Sequence, residues 1–216
     1  MRSIHTYRAT IFLSAFLLFL VQPMAAKALL PAFGGSYLVW GTCMVFFQGV
    51  LLAGYVWAHL VMGRFSARRS AIVQYILLAA AFLFLPPAFW RLGAGMSGEH
   101  PYTVLTWRLA LEMGVPFLFL STMSPVIQSW FSRSGLAGSD NPYALYSNSN
   151  MGSLSALILY PLLVEPFMTI PAQGRLLLAG FAAMAVLLFF CVPKRETAPS
   201  SDTAGRGEEA GRVPGG

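Results

Sequence analysis

The sequence predicts an all-α membrane protein, a bundle of six transmembrane helices, and three observations carry that prediction. Of the 216 residues 56% are hydrophobic and only 10% charged, with a mean hydropathy of +0.64, whereas a soluble domain carries roughly 25% charged residues. Apolar runs recur along the chain, each near the ~20 residues that a helix needs to cross a bilayer. The basic residues between the runs alternate in density. Arg2, Arg8, Arg64, Arg68, Arg69, Arg133, Lys194 and Arg195 fall on one side and Arg91 and Arg175 on the other, the bias that puts the richer side in the cytoplasm. Both termini are therefore expected inside an inner (plasma) membrane. The formal charge of +6 reads as topology, and no nucleic-acid partner is inferred from it.

Taken in order, residues 9–30 form the first span, interrupted by Gln22, Pro23 and Lys27. A basic start, an apolar core over 10–21 and Ala26-Lys27-Ala28 also describe a cleavable signal peptide over residues 1–28. Against cleavage, apolar character resumes at once, and Pro31-Ala32-Phe33-Gly34-Gly35-Ser36 reads as a tight turn into the next helix. Residues 36–62 are the second span, followed by a basic loop over 63–69, and 71–90 the third. Gly93-Ala94-Gly95-Met96-Ser97-Gly98 matches a dinucleotide fingerprint letter for letter. It follows a membrane span rather than a strand, so no nucleotide cofactor is inferred. Residues 102–122 are the fourth span, ended by Ser124-Pro125, and 126–134 read as a short amphipathic piece on the inner surface, anchored by Trp130 and Phe131. Asp140 or Asn141 can cap the fifth helix, and residues 175–192 form the sixth span. The expected organisation is a transmembrane domain over 1–193 and a disordered cytoplasmic tail over 194–216, where basic and acidic residues cancel. Cys43 and Cys191 fall near opposite faces, which argues against a disulfide, and no CxxC motif is present.

The fifth span, 143–166, is the one that raises a functional question. Its first half holds Ser147, Asn148, Ser149, Asn150, Ser153 and Ser155, a composition that lipid does not tolerate facing outward. Ser149, Gly152, Ser153 and Ala156 share a helical face of small residues that lets a neighbour approach closely. The segment is therefore expected at the centre of the bundle, as packing glue or as the wall of a solute path. Gln48, Tyr55 and His59 form a second polar stripe on span two that can face it. Arg108 and Glu112 stand one turn apart on span four, about 9 and about 15 Å deep by helix rise. Groups at such depth cost about 2.5–3.5 kcal/mol on insertion scales unless they meet partners or water. An internal ion pair and a proton-relay or substrate role are the two readings of that pair. Lys27 and Glu165 lie near helix ends, where snorkelling accounts for them. The candidate substrate-binding set is thus Gln48, Tyr55, Arg108, Glu112, Ser147, Asn148 and Asn150. No catalytic residue, cofactor or metal site is expected.

Several stretches carry a resemblance. They run from Phe19-Leu20-Val21-Gln22-Pro23-Met24 and Lys27 through Phe33-Gly34-Gly35-Ser36, Phe46-Phe47-Gln48 and Leu51-Leu52-Ala53-Gly54-Tyr55 with Ala58-His59. They continue at Pro116-Phe117, Ser124-Pro125, Trp130-Phe131, Asn141-Pro142-Tyr143, Ser149-Asn150, Gly152-Ser153, Tyr160-Pro161 and Glu165-Pro166. From about Phe19 to span six the chain resembles the membrane portion of the bacterial fused major-facilitator/spermidine-synthase-like proteins. In that family a soluble aminopropyltransferase-like domain follows the membrane domain. Its residues are absent from this sequence, so the synthase activity does not carry over, and Arg108 and Glu112 lie outside the family pattern. Gly54, Gly63-Arg64 and Arg68-Arg69 also resemble the facilitator signature between its second and third helices, without its aspartate. The resemblance implies a six-helix facilitator-like half that pairs with a second copy or another membrane protein. Two functions follow: binding or transport of a small polar solute, polyamine-related by resemblance, or a non-catalytic membrane anchor for a separately encoded synthase-like enzyme.

Overall fold

The computed structural model describes residues 3–92, 101–136, 138–139, 141 and 143–192. Its helices are α1 (Ile4–Phe33), α2 (Tyr37–Arg64), α3 (Ala67–Leu92), α4 (Pro101–Ser132), α5 (Tyr143–Leu159), a π-helical segment (Tyr160–Val164), the one-turn α6 (Glu165–Phe167) and α7 (Ile170–Cys191). Five of them, α1, α2, α3, α4 and α7, contain stretches long and apolar enough to cross a membrane. The remaining long helix, α5, runs through the π segment and α6 without a break. The chain is an all-α bundle with the helices of a multi-pass membrane protein. The Gly93 to Gly98 fingerprint match, Asp140 and the 194–216 tail lie outside the described residues.

Local signals set several boundaries. Gly34, at φ 74°, ends α1 by donating its N–H to the Leu30 carbonyl, in a positive-φ conformation that glycine adopts without strain. The Ser36 hydroxyl accepts from the Val39 N–H at the start of α2. Asn141 Oδ1 accepts from the Tyr143 N–H at 3.0 Å, capping α5 as its position suggests. The basic loop expected over 63–69 shrinks to Phe65 and Ser66, because α2 runs to Arg64 and α3 starts at Ala67.

Two expectations are corrected. The fourth span does not stop at Ser124-Pro125 and no piece lies on the surface: α4 continues through Pro116 and Pro125 to Ser132. Val126, Ile127, Trp130 and Phe131 are buried, with the Trp130 indole N–H donating to the Ser70 hydroxyl at 3.0 Å and the Phe131 ring 5.3 Å from that of Tyr7. Neighbouring helices hold the chain helical past a proline that would end it in isolation. The second correction concerns α5, which is peripheral. The central helices are α1 and α4, each with 61% of its most apolar window buried, against 22% for α2 and 28% for α7. Gly152 and Ala156 seat α5 against α1, and that register turns Ser147 and Asn150 outward. Small residues, not polar ones, decide which face of α5 goes in.

Helix pairing follows a pattern. The most extensive contacts are α1 with α5 and α2 with α4, then α3 with α4 and α1 with α7, with α1 also on α4 and α3 on α7. Exchanging α1 with α4, α2 with α5 and α3 with α7 returns the same set of pairs. The α1/α5 pair is parallel, since Gly152 meets Phe12 near both starts and Lys27 meets Glu165 near both ends. The α2/α4 pair is parallel too, with Gly54 against Ser121 and Arg133 against Met62. These six pairs are thus symmetric under the exchange, whereas the minor contacts of α2 with α1 and α3 are not.

Candidate functional site

On α2 the buried residues are Val39, Cys43, Phe47, Gly54, Ala58 and Val61. They pack on α4, and the Phe47 and Phe117 rings lie 4.7 Å apart. Helical periodicity then sends Gln48, Tyr55 and His59 to the exposed side. On α5, Ser147 and Asn150 are exposed and Asn148 is half-buried. The expectation that the α2 stripe faces the Asn/Ser helix is corrected, because α2 packs on α4 and α5 on α1. Each central helix takes one of them.

Arg108 and Glu112 occupy the first half of α4. Arg108 is half-buried and Glu112 buried, and both line an open groove of about 310 Å³ along α4 with Thr103, Val104, Trp107 and Leu111. A second cleft of about 420 Å³ opens between the starts of α2 and α4, lined by Tyr37, Leu38, Gly41, Thr42, Val45, Phe46 and Thr106. The seven candidates therefore form three groups: the outward face of α2, the first half of α4 and the first half of α5.

Lys27 and Glu165, each expected to snorkel near its own helix end, are joined in the structure. Lys27 Nζ donates to the Glu165 carbonyl at 3.0 Å and stands 3.5 Å from its carboxylate. Nearby, the Tyr160 hydroxyl donates to the Pro23 carbonyl at 3.2 Å. Pro161 has no N–H to give the α-helical ladder, and the chain passes through the π turn between these two contacts. A buried polar layer in α1, α3, α4 and α7 was also missed. Thr122 donates to Gln74 Oε1 at 3.1 Å, Tyr7 donates to the Cys191 carbonyl at 2.7 Å, and Thr10 lies 3.2 Å from the Cys191 sulfur. Its one legible signal is Ser70 and Gln74, a helical turn apart inside an apolar run. Cys43 and Cys191 are both buried and neither forms a disulfide. Among the described residues, no three of His, Cys, Asp and Glu come together in a way that could hold a metal ion.

The chain matches no protein-family model, no curated protein and no solved structure. The arrangement offers amides, hydroxyls and phenols on the outward faces of α2 and α5, and a guanidinium and a carboxyl in an open groove on α4.

Proposed function

We propose that this chain is one half of a facilitator-like transporter of the inner membrane, with both termini cytoplasmic, that binds or carries a small polar solute. The observation that carries the reading is the exchange of α1–α2–α3 with α4–α5–α7 in the helix pairing, the arrangement of inverted repeats from which many secondary transporters are built. Polar side chains at membrane depth normally meet protein or water rather than lipid. Gln48, Tyr55, Ser147 and Asn150, exposed on the exchange-related helices α2 and α5, mark the faces that meet a second half, either another copy of this chain or another membrane protein. The solute path runs between the two halves, and the substrate class suggested by the resemblance is a polyamine. The chain itself catalyses no covalent step in this reading.

The test is reconstitution into vesicles with Asn150→Leu and Glu112→Gln. Asn150 is exposed within the single chain, so Asn150→Leu should move stability by no more than about 0.5 kcal/mol while abolishing solute uptake. Glu112→Gln should preserve folding and remove the pH dependence of uptake. Unchanged uptake of every solute tested, polyamines included, defeats the transport reading. Co-purification of a soluble synthase-like enzyme would then favour the anchor. Labelling of a Ser66→Cys variant by an impermeant reagent from the outer side would overturn the orientation, and single-copy photobleaching with no membrane partner recovered by crosslinking would overturn the pairing.

A further inference from the structure

The turn between α2 and α3 concentrates positive charge. Arg64 is the last residue of α2, Arg68 and Arg69 lie in the first turn of α3, and all three are exposed. Two cations in a first turn oppose the helix dipole, which favours anions there. The acidic residues among those described are Glu112 and Glu165. Glu112 lies in the first half of α4, away from its end at the turn, and Glu165 lies beside Lys27 at the far end of the bundle. Among the described residues no carboxylate offsets the three arginines.

Below each end of the turn runs an exposed apolar stripe. Leu60 and Trp57 stand beneath Arg64 at helical spacing, 43% and 44% exposed, and Ile72 and Ile76 beneath Arg68, 55% and 63% exposed. Both helices pack on α4 far more than on each other, which leaves the stripes outward on either side of the shared turn. Arg133 holds this geometry by donating to the Met62 carbonyl at 3.0 Å, fixing the end of α2 against the end of α4. A nucleic acid or an acidic protein would satisfy the charges and leave the stripes unused. One ligand class carries both an anion and long apolar chains in this order.

We propose that the α2–α3 corner seats an anionic phospholipid, its phosphate on Arg64, Arg68 and Arg69 and its acyl chains along Leu60–Trp57 and Ile72–Ile76. The full chain, purified in neutral detergent, is titrated with phosphatidylglycerol and phosphatidylcholine and read by native mass spectrometry. The wild type retains phosphatidylglycerol preferentially. The triple variant R64Q/R68Q/R69Q lowers that retention roughly a hundredfold, the scale of three basic residues at an anionic surface. Arg175→Gln, on an exposed residue at the opposite end of the bundle, leaves it unchanged. In a second measurement, which needs no charge variant, phosphatidylglycerol brominated on its acyl chains quenches tryptophan emission, and Trp57→Phe removes the saturable part. The proposal falls if both lipids are retained equally by the wild type, if the triple variant keeps phosphatidylglycerol, or if Trp57→Phe leaves the quenching intact. Displacement of the lipid by millimolar inorganic phosphate would also overturn it, since the corner would then be a site for the free anion.

Discussion

The two tightest helix pairs, α1/α5 and α2/α4, are built alike and closed differently. Each joins a central helix to a peripheral one running parallel to it, and each uses a glycine where the helices come closest, Gly152 at Phe12 and Gly54 at Ser121. In each, a cation near the end of the central helix donates to a carbonyl near the end of its partner, Lys27 to Glu165 and Arg133 to Met62. In α1/α5 the glycine lies toward the helix starts and the cation at the other end, with Tyr160 bonded to Pro23 between them, so the pair is tied along its length. In α2/α4 the glycine and the arginine both lie toward the helix ends. The starts part around the 420 Å³ cleft, with Phe47 and Phe117 packed beyond it. The same parts close a pair or leave it with a mouth, according to whether the small residue and the cation stand at opposite ends or at the same one.

The comparison can be broken most forcefully at the glycines. A Cβ at Gly152 would run into the Phe12 carbonyl, main chain that yields only if α1 moves. Gly152→Ala should therefore lose about 2–3 kcal/mol, in the upper part of the overpacking range. A Cβ at Gly54 meets chiefly the Ser121 side chain, so Gly54→Ala should lose about 1–2 kcal/mol and very little in a Ser121→Gly background. Thermal unfolding in detergent reads both, and equal losses without rescue would mean that the pairs are closed in the same way. A smaller effect is expected at the closed end of α2/α4, where α4 is also held by α3. Trp130→Phe removes the indole donor to Ser70, a loss of about 1 kcal/mol, visible as faster amide exchange in the last turns of α4. The smallest belongs to Lys27→Met. The ion pair is 27% and 46% exposed on its two sides, and such pairs contribute below about 1 kcal/mol. Its effect should be confined to faster exchange around α6. A global loss as large as that of Gly152→Ala would make the salt bridge, not the glycine, the main tie of α1/α5.

What the sequence made legible was the apolar helices and their punctuation. The Gly34 turn, the Asn141 cap and the small-residue face around Gly152 and Ala156 all act locally, and each stands in the structure where the residues suggested. The misreadings share a cause in long-range packing. Pro125 ends an isolated helix, but Trp130 and Phe131 find Ser70 and Tyr7 and carry α4 past it. Asn150 and Ser147 suggested an interior helix because polar groups avoid lipid, yet the contact that seats α5 is a glycine on a backbone. Lys27 and Glu165 are separated by most of the chain, and nothing local indicates that two parallel spans bring them together. Of the candidate site, the residue types and their depth were readable. Which faces they share was not, because that depends on which neighbour each helix takes.

Both tight pairs skip over their neighbours in the chain, and this has a consequence for how the protein is made. A hairpin of consecutive spans is antiparallel, so neither parallel pair can form until a later helix has emerged from the ribosome. The α2/α4 contact becomes available once Ser132 has been added, with α3 between to support it. The α1 helix waits longer, until the chain has grown from Phe33 to Phe167, on the order of ten seconds at about 5–20 residues per second. During that interval Thr10 and Ser14, buried in the finished bundle, lack the cover of α5 and α7. The pair with the open mouth is thus the earlier to assemble and the fully tied pair the last, so that the arrival of α5 and α7 completes the burial of the first helix made.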